Sequence, residues 1–247
     1  MALEIKNERI VGRINDIHSM NGIGLHDNLQ EKLNGELPIN RLELLYLVNS
    51  WGRDYDFYTN ENIKIPKCEA KECYDLSKLD TSEITDMSQL FASSKFNGDI
   101  SNWEVSNVTN MGGMFYLAIE FNQALNNWDV SSVTNMNWLF AYAKEFNQAL
   151  DNWDVSNVTK MSQMFRYALN FNQAFNNWDV SKVTRMYEMF YNTNNFNQAL
   201  DNWNVSSVTN MHGMFSNAFK FNQALNNWDV SNVTDMRSMF YFASNFN

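Results

Sequence analysis

Trp128-Asp129-Val130-Ser131-Ser132-Val133-Thr134-Asn135-Met136 is one copy of a phrase that recurs every 25 residues along this chain. Its six copies open on tryptophans without a slip in spacing, at Trp103, Trp128, Trp153, Trp178, Trp203 and Trp228. A fixed period of about 20–50 residues is the signature of a stacked repeat architecture, in which each unit buries its apolar face against its neighbours. The repeat therefore predicts a fold and a surface, but it identifies no partner.

The repeat array is predicted to occupy residues 71–247. It holds one degenerate unit, six full units and the start of a seventh; the full units are 96–120, 121–145, 146–170, 171–195, 196–220 and 221–245. In the degenerate unit Leu79 stands at the tryptophan position, as expected of an atypical first unit. The sequence stops at Phe246-Asn247. Three alternatives follow for this apolar end: a truncated chain, end-to-end self-association through the C-terminal coil, or a cap formed by the last helix.

Two hydrophobic periods divide each unit. Trp128 and Val130 alternate with polar residues, which predicts a short half-buried strand. Four apolar residues then follow at i, i+3, i+4 and i+7, which predicts one face of an amphipathic helix of about ten residues; they are Met136, Leu139, Phe140 and Ala143. Thr134 is the expected N-cap. The predicted fold is a right-handed α/β solenoid of strand–helix units.

Residues 1–70 are predicted to form a mainly helical capping domain that shields the first coil, with a partner-binding or targeting domain as the alternative. Apolar residues at helical spacing support this prediction, namely Ile10, Ile14 and Ile17, and the cluster Leu42, Leu44, Leu45, Leu47 and Val48. Cys68 and Cys73 are interpreted as two thiols at the domain junction or as a local disulfide. Two cysteines without a nearby histidine do not make a zinc site.

Charge and composition limit the partners. The net charge is −10, and residues 96–247 carry 7 Lys/Arg against 12 Asp/Glu. An acidic chain without a basic stripe argues against nucleic acid and anionic membranes as partners. Charged residues interrupt the first 30 positions, so no signal peptide and no membrane-spanning helix is predicted. The chain is expected to be cytoplasmic, or to have lost a leader.

The run Phe146-Asn147-Gln148-Ala149-Leu150-Asp151-Asn152-Trp153-Asp154-Val155-Ser156 and its copies resemble a bacterial surface-protein repeat of about 25 residues. That repeat is known from BspA-like proteins and from mycoplasma and Listeria lipoprotein-type proteins, and it is often classed as a domain of unknown function. The resemblance covers about residues 71–247. It implies a leucine-rich-repeat-like solenoid with a role at the bacterial cell surface or in adhesion, and it supplies no catalytic residues.

Comparison between units points to the predicted helix side as the place where sequence varies. Large aromatic residues occur in these variable columns, and aromatics are enriched at binding sites. The candidate partner-binding residues are Tyr116, Trp138, Tyr142, Tyr167, Tyr187 and Tyr191. The alternative interpretation is that their rings pack over neighbouring coils.

The outward positions of the predicted strand hardly vary between units. They form a candidate ladder surface of Asn127, Asp129, Asn152, Asp154, Asn177 and Asp179. Stacked asparagines can hydrogen-bond along a stack, a structural use. Stacked aspartates repel one another, so each carboxylate is expected to be held by backbone N–H groups or the following serine, unless cations or a periodic glycan bind there.

Catalysis finds no support in the sequence. The three histidines are scattered, and phosphate loops, HExxH and nucleophile elbows are absent. We therefore expect no enzyme activity, no cofactor and no metal site. The sequence predicts a non-catalytic binding or adhesion scaffold for a protein partner. Its alternatives are a glycan- or ion-binding Asn/Asp surface and a self-assembling structural protein.

Overall fold

The computed structural model describes residues 25–49 and 74–247. In these residues two α-helices, α1 (Leu25–Leu33) and α2 (Arg41–Asn49), precede the array. Residues 74–247 contain turns and isolated bridges, with neither a helix nor a strand. The domain boundary near residue 70 stays a prediction. It lies outside the described residues, as do Ile10, Ile14, Ile17, Cys68 and Cys73.

The units of the array stack in register. Parallel bridges join equivalent residues of successive units, as in Asn110 to Asn135, Asn135 to Lys160 and Lys160 to Arg185. Backbone bonds accompany them: the N–H of Thr134 donates to the carbonyl of Thr109 at 2.9 Å. Each unit therefore rests on the equivalent part of its neighbour along the chain.

The predicted helix is wrong. Residues 137–142 form a chain of successive turns, which we call the turn ribbon; its copies are 112–117, 162–167, 187–192, 212–217 and 237–242. Along the ribbon, backbone N–H groups donate alternately to a carbonyl of the same unit and to a carbonyl of the next unit. The N–H of Leu139 donates to the Met136 carbonyl within the unit at 3.2 Å, and the N–H of Phe140 donates to the Met164 carbonyl of the next unit at 2.9 Å. An α-helix would use these donors inside itself. The ribbon instead shares them with the neighbouring unit.

Left-handed backbone at two positions of each ribbon prevents a helix. Trp138 has φ 57° and Tyr142 has φ 62°, and a left-handed residue cannot continue a right-handed helix. Glycine occupies the first of these positions in two units, with φ 64° at Gly113 and φ 61° at Gly213. Glycine is the residue that adopts this conformation most easily. These two glycines were a signal in the sequence against a helix.

The predicted strand is also wrong. Trp128 and Val130 are 3% and 1% exposed, so the predicted alternation of burial is confirmed. Their backbone, however, makes turn bonds: Trp128 N–H donates to Leu125 at 3.1 Å, and Val133 N–H donates to Val130 at 2.9 Å. With neither strand nor helix in residues 74–247, the α/β solenoid of strand–helix units does not describe this chain.

The core lies inside the stack. The four residues predicted for the buried helix face, Met136, Leu139, Phe140 and Ala143, are all fully buried. Phenylalanine rings stack across the boundaries between units: Phe140 of unit 121–145 lies 3.9 Å from Phe146 and 5.7 Å from Phe165 of the next unit, measured between ring centroids. Five tryptophans of the repeat each add a buried hydrogen bond from the indole N–H to a carbonyl; they are Trp103, Trp128, Trp153, Trp178 and Trp203. Trp153 Nε1, for example, donates to the Leu125 carbonyl at 2.9 Å.

Helix α2 begins with a capping box and contacts the first coil. Asn40 Oδ1 accepts the N–H of Glu43 at 3.0 Å, and Glu43 Oε2 accepts the N–H of Asn40 at 2.9 Å. Ile39 N–H donates to Asp80 O at 2.9 Å, and Arg41 donates to the carbonyl of Ser88 at 2.9 Å. Among the described residues, neither helix has the length and apolar character needed to cross a membrane.

Candidate functional site

Four tyrosines of the turn ribbons form a continuous row across successive units. The rings of Tyr116 and Tyr142 meet edge to face at 5.9 Å, and those of Tyr142 and Tyr167 stack at 4.7 Å with 9° between planes. Tyr191 continues the row at 5.5 Å from Tyr167. All four are half-buried. The tyrosine rings pack against one another across successive units, as in the alternative interpretation from the sequence, and each ring stays partly exposed.

Arg166 holds this row together. Its guanidinium carbon lies 4.5 Å from the centre of the Tyr191 ring and 5.4 Å from that of Tyr167. These are cation–π distances. Its Nε donates to the hydroxyl of Tyr142 at 3.4 Å, and its Nη1 pairs with Glu188. The arginine thus contacts one tyrosine of its own unit, one tyrosine of each adjacent unit, and the carboxylate of Glu188.

Trp138 joins the same surface through a chain of polar side chains. Its Nε1 donates to Gln163 Oε1, and Gln163 Nε2 donates to Glu188 Oε2 at 2.6 Å, the oxygen that Arg166 also binds. The indole is 42% exposed. We call the connected surface the aromatic face; it consists of Tyr116, Trp138, Tyr142, Arg166, Tyr167 and Tyr191.

Close packing of the phenols changes the acidity of one of them. Partial burial raises the pKa of Tyr167, and the neighbouring phenols of Tyr191 and Tyr142 raise it further, against a smaller opposing effect of Arg166. The phenol of Tyr167 is therefore a neutral hydrogen-bond donor at all physiological pH values.

The structure brings five of the six predicted aromatic residues together and separates the sixth. Tyr187 lies on the same ribbon side but lines a polar cleft beside Lys160 and Arg185. The sequence interpretation missed Arg166 as the connecting residue. The sequence did contain a signal for Arg166. Its position varies between units, with Ala141 in the preceding unit and Tyr191 in the following one.

The second predicted surface is exposed, and its aspartates are held locally. Asp129 Oδ1 accepts the N–H of Ser131 at 3.1 Å, and the same bond recurs at Asp154 and Asp179 at 3.0 Å. From the sequence, backbone N–H groups or the following serine were expected to hold each carboxylate, and in the structure the serine backbone N–H does so. The hydrogen bonds from Ser131 and Ser181 lower the pKa of Asp129 and Asp179.

The asparagine ladder of the array is formed by a different set of residues from the one predicted. Asn147 N–H donates to Asn122 Oδ1 at 3.0 Å, and Gln148 Nε2 donates to the same oxygen at 3.0 Å. This amide ladder continues through Asn97, Asn122, Asn147, Asn172, Asn197 and Asn222. The side chains of Asn127, Asn152 and Asn177, by contrast, make no hydrogen bond to another described residue. The Phe-Asn-Gln triplet that opens five of the six full units was the signal.

Metal ligands are not clustered in the part of the chain that the structure describes. There, no group of three or more His, Cys, Asp or Glu side chains could hold an ion. Each carboxylate of the Asp129 row accepts the N–H of the serine two residues later, within its own backbone turn.

In-register 25-residue coils and a surface made from their variable positions define a repeat protein. The chain belongs to the family described as "Mycoplasma protein of unknown function, DUF285", whose sequence model matches residues 62–178 and 159–247. This assignment is to a domain of unknown function, which is coarser than the BspA-like resemblance. A comparison with curated proteins finds no match.

Proposed function

We propose that this chain is a non-catalytic binding scaffold whose aromatic face engages a protein partner. One observation carries the proposal: Trp138, four tyrosines and Arg166 form one connected surface across adjacent units. Trp, Tyr and Arg are the residues most enriched among binding hot spots. Because stacking and the Arg166 bonds already fix these side chains, a partner would lose little side-chain entropy on docking.

The proposal of a non-catalytic role rests on the state of the acidic groups. Hydrogen bonds from Ser131 and Ser181 lower the pKa of Asp129 and Asp179, so both are ionised near neutral pH. A general acid needs the opposite shift, toward the working pH. These exposed carboxylates are therefore poorly suited to acid–base chemistry.

We further propose that the scaffold acts at a bacterial cell surface or as a secreted protein, with a cytoplasmic role as the alternative. The resemblance of the Phe-Asn-Gln…Trp-Asp-Val-Ser repeat to BspA-like and lipoprotein-type surface repeats supports the first location. Surface labelling of intact cells that express the full chain, compared with a known cytoplasmic protein, decides between the two.

Site-specific photocrosslinking tests the aromatic face. A photoreactive phenylalanine analogue placed at Trp138 is expected to form a discrete covalent adduct with a surface protein. The same analogue at Phe219, which is 42% exposed and lies outside the aromatic face, serves as the matched control. An adduct from both positions, or from neither, would contradict the proposal.

A second variant uses substitutions that the array itself contains. Trp138→Gln, Arg166→Ala and Tyr191→Ser copy Gln163, Ala141 and Ser216 from the equivalent positions of other units. The triple variant is expected to stay folded and to weaken binding of the crosslinked partner by about 100-fold, since two or more hot-spot side chains are lost. Phe219→Asn, which copies Asn194, is expected to bind as the native chain does.

The alternative function is a glycan- or ion-binding surface on the Asn/Asp row. The free amides of Asn127, Asn152 and Asn177 support it, because they have no hydrogen-bond partner among the described residues and are exposed beside Asp129, Asp154 and Asp179. A glycan array and a calcium titration test it, and two negative results would remove it.

Self-assembly through the C-terminal coil is a further alternative. Val230, Met236 and Phe242 of unit 221–245 are 37%, 42% and 63% exposed, which leaves an apolar surface at this end of the array. Sedimentation over a wide range of protein concentration tests it. A monomer at every concentration would rule this function out.

A further inference from the structure

A polar cleft opens at the junction between units 146–170 and 171–195. Its volume is about 500 Å³, and its lining includes Asn137, Lys160, Ser162, Thr184, Arg185 and Tyr187. The lining contains two cations and several hydroxyl groups, and no carboxylate. This composition is unusual for a chain with net charge −10 and suits an anionic group.

The two cations replace residues that have a fixed structural role in other units. At the equivalent position Asn110 Oδ1 accepts the N–H of Gly112 at 3.1 Å, and Asn210 Oδ1 accepts the N–H of His212 at 2.9 Å. Lysine and arginine side chains have no acceptor and cannot make this bond. Lys160 and Arg185 therefore give up a local hydrogen bond that the repeat otherwise provides.

Two donors lose their usual partners at this junction. Tyr187 N–H, which corresponds to the bonded N–H groups of Gly112 and His212, has no hydrogen-bond partner among the described residues. The hydroxyl of Thr209 donates to the carbonyl of Thr184 at 3.1 Å, and equivalent bonds occur in other units. The hydroxyl of Thr184 makes no such bond within the described residues. Both Tyr187 and Thr184 line the cleft.

The cations themselves are also unneutralised. Lys160 and Arg185 are direct neighbours through a parallel bridge, and both are exposed. Neither forms an ion pair with another residue in 25–49 or 74–247. Like charges at neighbouring positions repel. A negative group between them would relieve this repulsion and accept hydrogen bonds from the free donors.

We propose that this cleft binds the phosphate or sulfate group of a small polar ligand of about the size of a sugar phosphate. The oxyanion lies between Lys160 and Arg185 and accepts hydrogen bonds from the Thr184 hydroxyl and the Tyr187 N–H. A volume of about 500 Å³ exceeds what a bare ion needs and falls within the range of small-molecule sites. Hydroxyl groups and the Asn137 amide line the remaining space. This site is separate from the aromatic face and does not depend on its proposed function.

Calorimetric titration of the full chain at low ionic strength tests the proposal. Glucose 6-phosphate and glucose 6-sulfate are the probes, with inorganic phosphate, inorganic sulfate and glucose as comparisons. We expect the charged sugars to bind, glucose to give no signal, and added salt to weaken binding through screening. Binding of inorganic phosphate or sulfate at equal affinity would support the oxyanion site but overturn the sugar-sized ligand.

The variant Lys160→Asn/Arg185→Asn restores the residue found at Asn110, Asn135 and Asn210 and is therefore expected to keep the native melting temperature. It should lower the affinity for glucose 6-phosphate by at least about tenfold, since two charge-assisted contacts are lost. Lys144→Asn/Lys220→Asn removes the same charge from exposed positions elsewhere and should bind as the native chain does. Native affinity in the first variant, an equal loss in the control, or no binding of any probe would overturn the site.

Discussion

Unit 196–220 and unit 221–245 are identical at 15 of their 25 positions, yet the burial of these shared residues differs greatly. Val205 and Met211 are 1% and 0% exposed, whereas the equivalent Val230 and Met236 are 37% and 42% exposed. The first unit is covered on both sides in the structure, and the second is covered on one. The difference shows that a unit's core is completed by its neighbours, and that the stability of each position depends on its place in the stack.

The largest expected effect comes from removing a ring of the phenylalanine stack. Phe165 is fully buried and stacks on Phe140 and Phe190, so Phe165→Ala should destabilise the chain by about 3–5 kcal/mol. The equivalent Phe240→Ala, at a half-buried ring of the last unit, should cost about 1–2 kcal/mol. Urea unfolding followed by circular dichroism measures both. Equal losses would contradict the dependence on neighbours.

A smaller effect is expected from the tryptophan hydrogen bonds. Trp153→Phe keeps an aromatic ring but leaves the buried Leu125 carbonyl without its 2.9 Å indole donor, at a cost of about 1–3 kcal/mol. Trp228→Phe removes the corresponding 2.8 Å bond to Leu200 where water has better access, and it should cost about 1 kcal/mol or less. Thermal melts of the two variants, compared at equal protein concentration, test this order. A reversed order would show that ring packing outweighs the hydrogen bond.

The smallest effect concerns the aspartate turns. Hydrogen bonds from Ser131 lower the pKa of Asp129 below the ordinary 3.8, so ionisation of Asp129 stabilises the fold above about pH 4. That contribution is lost as pH falls through the lowered pKa. Asn204 makes the same turn bond to Ser206 without a charge, at 3.2 Å.

Asp129→Asn should therefore make stability less sensitive to acid below about pH 4, and Asn204→Asp should make it more sensitive. Chemical denaturation at several pH values measures the slope. Parallel pH curves for the native chain and both variants would contradict the assignment.

Much of the packing could be predicted from the sequence, but the backbone could not. The spacing of Met136, Leu139, Phe140 and Ala143 correctly predicted four buried positions. Apolar spacing of this kind does not distinguish a helix from a ribbon of successive turns, because both place those side chains on one side. The choice depends on where the N–H groups bond, and half of them bond to the next unit. Locally, this information lay in residues that favour a left-handed backbone, namely Gly113 and Gly213 at the first such position and Asn192 and Asn217 at the second.

The candidate surfaces show the same limit. The variable columns drew attention to Tyr142, Tyr167 and Tyr191, whose partner-binding role stays a prediction, but the link through Arg166 required the positions of three units at once. Equally, the separation of Tyr187 from these rings depends on the register of the stack. Comparison between units could identify which positions vary. It could not predict which of these positions contact one another, because those contacts depend on how the units stack.

The amide ladder gives the array a direction. Each coil presents an asparagine Oδ1 as acceptor to the following coil and uses its own backbone N–H and glutamine amide as donors to the preceding one, as Asn147 and Gln148 do to Asn122. The two open sides of a coil are therefore chemically different, like the plus and minus ends of a filament. Two copies meeting through the same side cannot repeat this ladder, because each side carries either the acceptors or the donors of the ladder and not both. Any coil that extends this stack must have the same polarity.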